Sequence, residues 1–309
     1  MNFMKIKKVI LKLQSKIVRY KKIKNPVVYM TLLVKNEEDI LEENIIFHHE
    51  MGVNGFIVTD NGSRDKTAEI INKYKQKGWI KELIYDETGG YQQVKFVDKM
   101  IRIAKEKYHA DWIINCDADE FWYCKKGKYQ DILSNCSHNV LKCAICNMLP
   151  IEDDVFWKSK WKIVKTVDSE EYNLPFYNLY TKQMEKVIHR LQGYKIISAG
   201  NHNVKIKLKS IGQTNDIVIY HYNVRNKEHF IRKMIHGGKE LSKVENNMGE
   251  HWKYFYELSK KEGFDEDTIY NNFIGKNHFQ MLKKSGVIVK DLTIIKFFEI
   301  LDKEDYEYV

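Results

Sequence analysis

The sequence predicts an α/β protein with a mainly parallel sheet that is covered by helices on both faces. Apolar runs of strand length alternate with amphipathic segments through residues 27–116, which is the pattern of consecutive βαβ units. Of the 309 residues, 43% are hydrophobic, and only 3 are Pro and 16 Gly. This composition excludes a disordered or collagen-like chain.

Four strands and three helices are expected in the first part of the chain. The predicted strands are Val27–Val34, Gly55–Thr59, Trp79–Tyr85 and Asp111–Cys116. The first helix, which Asn36 can cap, is expected to end near Gly52. The second is capped by Ser63 or Asp65 and ends at Gly78, and the third covers Val94–Tyr108.

The sequence pattern changes after Phe121, and the residues that follow are richer in Trp, Tyr and Phe. Strands are predicted over Val140–Cys146, Trp157–Val167, Lys195–Ser198, Val204–Leu208 and Ile217–Tyr222, and helices over Asn226–Lys243 and most of Glu250–Lys284. Since no flexible Gly/Ser linker separates the parts, we expect one domain over residues 26–240, with halves at 26–123 and 124–240. A helical C-terminal extension over residues 241–309 follows it.

The basic character of the chain is concentrated at its N-terminus. Residues 1–25 contain nine Lys or Arg and no acid, which equals the net charge of +9, so the rest of the chain is balanced. Apolar residues from Ile6 to Tyr20 recur at steps of three and four. We interpret residues 1–25 as an amphipathic helix on an anionic membrane surface, in preference to a terminal helix docked on its own domain. The balanced remainder gives no indication of nucleic-acid binding.

Polar clusters follow three of the predicted strands: Lys35-Asn36-Glu37, Asp60-Asn61-Gly62-Ser63 and Asp117-Ala118-Asp119. In a parallel sheet these clusters meet at the carboxyl edge, where ligands bind. Two carboxylates spaced as in Asp117 and Asp119 suit Mg²⁺ or Mn²⁺ bridging a diphosphate. Asp60 is a candidate for a nucleotide base or ribose, and Glu37 for the same pocket.

The motifs together resemble glycosyltransferase family 2. Three motifs, in this order, resemble the front half of that family: Lys35-Asn36-Glu37, Asp60-Asn61-Gly62-Ser63-x-Asp65-x-Thr67, and the strand leading into Asp117-x-Asp119-Glu120-Phe121. The Asp-x-Asp-Glu-Phe form resembles a subgroup related to family 92. His221-Tyr222-x-x-Arg225-Asn226-x-x-x-Phe230-x-x-Lys233 is similar to another signature of this subgroup, with Asn226 where Ser is usual.

The resemblance, which covers roughly residues 27–238, implies a GT-A fold, a nucleotide-sugar donor, a divalent metal and inversion at the anomeric carbon. It implies that Asp60 binds a uracil-type base or its ribose in a UDP-sugar. Asp117 would lie near the ribose and the metal, with Asp119 as the principal metal ligand. Gln93 is a weaker donor candidate. His221 would complete the metal or diphosphate site, with His202 as the second choice, and Arg225 and Lys233 would neutralise phosphate oxygens.

An inverting transferase needs a general base for the acceptor hydroxyl. The candidates are Glu152, Asp153 and Asp154, in one predicted loop, and Glu170 or Glu171. We favour Asp154, with Glu152 as the alternative, because the base in many family members belongs to a Glu-Asp pair.

The expected partners are a nucleotide-sugar donor and a saccharide or lipid-linked saccharide acceptor, as in the synthesis of a bacterial surface polysaccharide. Five cysteines do not form an evident disulfide framework, so we expect a cytoplasmic protein, peripheral on the inner face of the membrane. Two other functions are also compatible with the sequence. One is a metal-dependent phosphatase or phosphotransferase that uses the Asp-x-Asp, and the other is a non-enzymatic membrane-surface adaptor. A nucleotide-linked dehydrogenase is excluded, since no Gly-x-Gly-x-x-Gly follows the first strand.

Overall fold

The computed structural model describes residues 19–86, 92–150, 155–242 and 249–303. The chain divides into two compact units. Among the described residues, 19–86, 92–145 and 184–220 form the first unit, and 146–150, 155–183, 221–242 and 249–303 form the second. This division does not follow the predicted boundaries after residues 123 and 240, because the chain enters the second unit twice.

The first seven elements confirm the predicted alternation of strands and helices. They are β1 (Val28–Val34), α1 (Leu41–Glu50), β2 (Gly55–Asp60), α2 (Thr67–Gln76), β3 (Ile80–Tyr85), α3 (Gln93–Glu106) and β4 (Trp112–Cys116). The largest difference from prediction is the start of α1, which begins at Leu41 instead of directly after Asn36. Gly78 has a φ of +74° just beyond α2, a backbone conformation that suits the end of a helix.

These four strands form a parallel sheet in the order β3-β2-β1-β4. One face packs against α3, where Ile57, Met100, Ile101 and Ile113 are fully buried in a common core. Strands covered on both faces bury side chains of both orientations, which explains why β1 is apolar almost without alternation. The predicted α/β class is therefore confirmed.

The middle of the chain contains strands that the sequence did not reveal. The next elements are β5 (Glu120–Cys124), α4 (Tyr129–Leu133), β6 (Val140–Leu149), β7 (Trp161–Ile163), β8 (Lys186–Arg190), β9 (Tyr194–Ile197), β10 (Val204–Ile206) and β11 (Ile211–His221). Strand β8 lies antiparallel to β4 and to the start of β6. It was missed because three of its five residues are polar or charged, yet all five are buried.

Three further predictions for the middle of the chain can be compared with the structure. The strand predicted over Trp157–Val167 is wrong over most of its length, since only Trp161–Ile163 is a strand and Phe156–Lys158 is a 3₁₀ turn. The strands predicted near Lys195 and Val204 are confirmed as β9 and β10, which pair antiparallel. We call β9, β10 and the residues between them the hairpin.

The second unit is mainly helical. Its helices are α5 (Lys227–Phe230), a π-helical segment (Ile231–His236), α6 (Gly237–Ser242), α7 (Glu250–Ser259), α8 (Glu266–Phe273), α9 (Phe279–Lys284) and α10 (Thr293–Lys303), with strand β12 (Ile288–Lys290) before α10. Phe230, Phe255 and Phe273 form the centre of the core, with ring centroids 5.0–5.5 Å apart. The predicted helices over 226–243 and 250–284 are confirmed within the described residues.

Residues 19–25 are not helical, so the helix predicted over residues 1–25 is wrong in this part. The reason is a tertiary contact: the backbone N–H of Tyr20 donates to the carbonyl of Ser137 at 2.7 Å. Residues 1–18 lie outside the described residues. In the part of the chain that the structure describes, every helix is too short or too polar to cross a bilayer.

The start of α5 explains the departure from the motif at Asn226. The Asn226 side chain is the N-cap of α5 and accepts a hydrogen bond from the backbone N–H of His229 at 2.8 Å. Ser makes the same bond at such a position. We predict that Asn226→Ala lowers the free energy of unfolding by about 1 kcal/mol, whereas Asn226→Ser changes it by a few tenths. Urea denaturation measures both, and equal losses in the two variants would contradict the capping role.

Candidate functional site

The polar clusters after β1 and β2 are joined by hydrogen bonds at the carboxyl edge of the sheet. The backbone N–H of Asn36 donates to Ser63 Oγ at 3.0 Å, and Asn36 Oδ1 accepts from the N–H of Arg64 at 2.8 Å. The N–H of Glu37 donates to Thr67 Oγ1 at 2.8 Å. The prediction that Asn36 caps α1 is therefore wrong, because the Asn36 side chain is bound to the loop after β2.

Asp60 is held at the end of β2 in a fixed orientation. Its side chain is buried, and Oδ1 accepts hydrogen bonds from the N–H of Ser63 at 2.9 Å and from Ser63 Oγ at 2.6 Å. Gly62 has a φ of +73°, which the turn between them requires and which other residues rarely adopt. The sequence Asp-Asn-Gly-Ser thus folds into a tight loop around its own carboxylate.

The Asp-x-Asp turn after β4 is fixed by a buried amide from α1. Asn44 is fully buried, and its Nδ2 donates to the carbonyls of Ala118 and Glu120, both at 2.9 Å. Asp119 is buried, with 8% of its surface exposed, whereas the Asp117 side chain is 39% exposed. The two acids of the motif therefore lie in different environments on one rigid turn.

A lysine that the sequence did not indicate binds two acids of this turn. Lys186 Nζ lies 2.5 Å from Asp117 Oδ2 and 2.5 Å from Glu120 Oε1, and its side chain is 4% exposed. Glu120 also accepts from Trp122 Nε1 at 3.2 Å. Burial opposes the charge of Lys186, but the carboxylates of Asp117 and Glu120 outweigh it and raise the pKa of this lysine. Lys186 is thus a permanent cation at the Asp-x-Asp turn.

Two buried histidines near this turn are neutral. His48 Nε2 accepts from the N–H of Trp122 at 3.1 Å, and its Nδ1 lies 2.8 Å from the carbonyl of Asn44, to which it donates. His189 is arranged in the same way, between Asn115 Nδ2 and the carbonyl of Arg190. Burial lowers the pKa of His48 to about 3 and that of His189 to about 4.

Gln93 and His202 are brought together in the first unit. Gln93 Oε1 accepts from the N–H of Gly200 at 3.0 Å, which ties the start of α3 to the hairpin turn. His202 Nδ1 lies 3.2 Å from the carbonyl of Glu185, the residue before Lys186. Burial lowers the pKa of His202, while the charges of Lys186 and Asp117 act on it in opposite directions. The second-choice histidine is therefore electrostatically coupled to the Asp-x-Asp turn.

The later motif residues belong to the second unit. His221 Nδ1 lies 2.9 Å from Asn147 Oδ1. Arg225 is buried, and its backbone N–H is directed at His229 Nδ1. Lys233 Nζ donates to the carbonyl and to Oδ1 of Asn223, at 2.9 and 3.0 Å. The roles predicted for these three side chains stay predictions.

The general base is not identified by the structure. Glu152, Asp153 and Asp154 lie outside the described residues, while Glu170 and Glu171 are exposed on the second unit. The preference for Asp154 rests on the sequence alone.

The described residues contain no group of three or more His, Cys, Asp or Glu side chains that could hold a metal ion. A hard cation such as Mg²⁺ is commonly bound by one or two carboxylates together with substrate phosphates and water. Asp117 and Asp119 offer carboxylate oxygens on one turn, so their chemistry fits a site that the diphosphate of a donor would complete.

The family described as "Glycosyl transferase family 2" matches residues 33–202, which is more than half of the chain and includes the three polar clusters. No curated protein matches the chain significantly.

Three solved structures are similar at low identity. TarS 1-349 of S. aureus in complex with UDP is 14% identical, with a TM-score of 0.42, over 74% of this chain and 69% of that one. The mannosyltransferase PcManGT of Pyrobaculum calidifontis, with GDP-Man and Mn2+, is 13% identical with a TM-score of 0.41, over 97% and 88%. Glucosyl-3-phosphoglycerate synthase of Mycobacterium tuberculosis, with Mn2+ and UDP, is 13% identical with a TM-score of 0.35, over 72% and 82%. Similarities of this size support no statement about the substrate.

We predict that Lys186→Met destabilises the protein by roughly 3–5 kcal/mol, because it leaves the Glu120 carboxylate buried and unpaired. The double variant Lys186→Met/Glu120→Gln should recover most of the loss. Lys142→Met is the control: it breaks a half-exposed pair with Glu185, 2.9 Å apart, which should cost about 1 kcal/mol or less. Urea denaturation of the four proteins measures the differences, and a double variant no more stable than Lys186→Met would contradict the pairing.

The two neutral histidines predict a loss of stability in acid. The unfolded chain binds protons at the ordinary pKa of 6.5, but the folded chain binds them at about 3 on His48 and about 4 on His189. Between pH 6.5 and 4 the unfolded state therefore binds more protons. The free energy of unfolding should fall as the pH is lowered, by up to about 1.4 kcal/mol per pH unit for each histidine. His189→Gln should reduce this slope, which urea denaturation at a series of pH values measures, and an unchanged slope would contradict the neutral state of His189.

Proposed function

Because the chain belongs to glycosyltransferase family 2, we propose that it transfers a sugar, with inversion, from a nucleotide-sugar donor to a saccharide or glycoconjugate acceptor. Membership of this family establishes that the protein is a glycosyltransferase. The GT-A type and the use of a nucleotide-sugar are part of our proposal. Inversion, the dependence on a metal and a role in bacterial surface polysaccharide synthesis are our proposal. The observation that carries it is the rigid, acidic turn Asp117–Glu120 at the carboxyl edge of the sheet, held by Asn44 and Lys186.

Asp60 is proposed to bind the nucleoside of the donor, which we take to be a UDP-sugar. Its buried carboxylate is oriented by Ser63 before any ligand arrives, so binding costs little reorganisation. A carboxylate accepts hydrogen bonds, and the N–H of a uracil base and the hydroxyls of ribose donate them. Glu37 follows Asn36, which is hydrogen-bonded to the same loop, and its own N–H donates to Thr67 Oγ1, which supports its place in this pocket.

Asp119 is proposed as the principal ligand of Mn²⁺ or Mg²⁺, with Asp117 beside it. A divalent cation at this position stabilises the negative charge that develops on the β-phosphate as the sugar leaves. The hydrogen bonds from Asn44 hold the backbone of the turn that carries the Asp119 carboxylate. Lys186 balances one of the two charges on Asp117 and Glu120, so that the turn can be acidic without repelling a diphosphate strongly.

The proposal also assigns a further metal ligand, three more donor-binding residues and the general base. His202 or His221 would be a further metal ligand, and the distance of 3.2 Å between His202 Nδ1 and the carbonyl of Glu185, the residue before Lys186, supports His202. Arg225, Lys233 and Gln93 are proposed for the donor, although Gln93 and Lys233 each already make a hydrogen bond within their own unit. Asp154, or else Glu152, is proposed as the general base.

We also propose that the protein is cytoplasmic and peripheral, with residues 1–25 on an anionic membrane surface and a lipid-linked saccharide as acceptor. The acid-free composition of this segment supports the proposal. Family membership sets aside both other functions considered from the sequence, the phosphatase and the non-enzymatic adaptor.

We predict that Asp119→Ala removes the Mn²⁺-dependent part of UDP binding, because a metal site with two protein carboxylates loses its principal one. Titration calorimetry of UDP with and without Mn²⁺ measures this, and we expect the affinity gain from Mn²⁺ to fall by at least roughly tenfold. Asp216→Asn is the matched control, since this acid pairs with Lys126 at 2.8 Å on the surface of the same unit. A Mn²⁺ effect of wild-type size in Asp119→Ala would contradict the assignment.

A further inference from the structure

Two segments of the chain that contain no acidic residue meet in the first unit. Residues 1–25 carry nine basic residues, and residues 186–215 carry six, which are Lys186, Arg190, Lys195, Lys205, Lys207 and Lys209. The second segment includes β8 and the whole hairpin. The structure brings Tyr20 and Lys21, near the end of the first segment, against the second.

Tyr20 is the residue that joins them. Its hydroxyl donates to the carbonyl of Leu208 at 3.0 Å and accepts from Asn139 Nδ2 at 2.8 Å. The Arg190 guanidinium lies 5.4 Å from the centre of the Tyr20 ring, and its Nη1 donates to the carbonyl of Lys21 at 2.9 Å. These contacts fix residues 20 and 21 in one position next to the hairpin, which a loosely attached tail would not show.

The surface around this joint combines cations with exposed aliphatic side chains. Lys21 and Lys22 are exposed beside Tyr20, Lys205 is exposed on β10 of the hairpin, and Lys207 is exposed directly after β10. Leu208 is 50% exposed, and Ile196, which is paired with Lys205 across the hairpin, is 45% exposed. We call these six residues the hairpin surface.

We infer that the hairpin surface docks on an anionic lipid bilayer and that Tyr20 aligns the basic N-terminus with it. Lysines near such a bilayer each contribute about 1 kcal/mol through the negative surface potential. Exposed Leu and Ile side chains gain by entering the boundary between headgroups and acyl chains. They would gain nothing on a soluble, hydrated polyanion, and this favours the bilayer.

Such docking would place the site close to a lipid-linked acceptor. The turn of the hairpin carries Gly200 and His202, and these are connected to Gln93 and to the residue before Lys186. The inference rests on the proposed membrane association of residues 1–25 but differs from it, because it assigns binding to folded residues that lie far from the N-terminus in sequence.

The test is flotation of the full-length protein with phosphatidylcholine vesicles that contain or lack phosphatidylglycerol. We expect the wild type to bind only the anionic vesicles. Lys205→Glu/Lys207→Glu should weaken this binding by at least about tenfold, and Leu208→Ser should weaken it measurably. Lys75→Glu/Lys77→Glu, the same charge change beside β3, is the control and should bind as the wild type does. UDP binding measured by calorimetry should be unchanged in all of them.

A full-length variant with Lys5, Lys7, Lys8, Lys12 and Lys16 changed to Gln separates this inference from the proposed function. If that variant loses vesicle binding while Lys205→Glu/Lys207→Glu keeps it, the hairpin surface is refuted and the N-terminal proposal stands. If the wild type binds neither vesicle, both are refuted. If Leu208→Ser has no effect and soluble polyphosphate prevents vesicle binding at equal charge concentration, the surface binds a polyanion and the inference is wrong.

Discussion

The ion pairs of Lys186 with Asp117 and Glu120 are the interaction on which the candidate site depends. A buried ammonium ion without partners costs several kcal/mol, and so does a buried carboxylate. The buried ammonium of Lys186 and the buried carboxylate of Glu120 are therefore each tolerated only because the other is present. The register of β8 brings this about: Ile188 lies opposite Ile114 of β4, so Lys186, two residues away, reaches the carboxyl end of the parallel strands. An antiparallel strand thus supplies a cation to an edge that the parallel strands make acidic.

The sequence was sufficient to predict the parts of the fold that follow from local patterns. Strands β1, β2 and β4 are largely apolar runs between helices. That their polar ends lie close together follows from parallel pairing alone. Strand β8 could not be predicted in this way, since a buried segment with Lys186 and Arg190 looks like an exposed one until its partners are known. The helix predicted at the N-terminus is absent from residues 19–25 for a similar reason, because the contacts of Tyr20 override a local periodicity there.

In the candidate site, too, residues in local sequence motifs could be proposed from the sequence, whereas residues that act through long-range contacts could not. Asp60, Asp117 and Asp119 could be proposed from the sequence because they stand at or just after the ends of predicted strands. Asn44 and Lys186, which hold the turn, come from positions 73 residues before Asp117 and 69 after it, and nothing near them in the sequence indicates burial. Asn36 was assigned to the nearest helix, whereas its amide is bound to a loop 28 residues further along. Long-range partners of polar side chains are the information that a single sequence lacks.

The central claim is that the carboxyl edge of β2, β1 and β4 binds the nucleotide-sugar donor, with the metal on Asp119. The most direct measurement is a crystal structure with UDP and Mn²⁺, in which anomalous scattering locates the metal. We expect Mn²⁺ within coordination distance of the Asp119 carboxylate and the nucleoside at Asp60, with Lys186 still bound to Glu120. A metal peak away from Asp119, or a nucleotide at another edge of the sheet, would contradict the account.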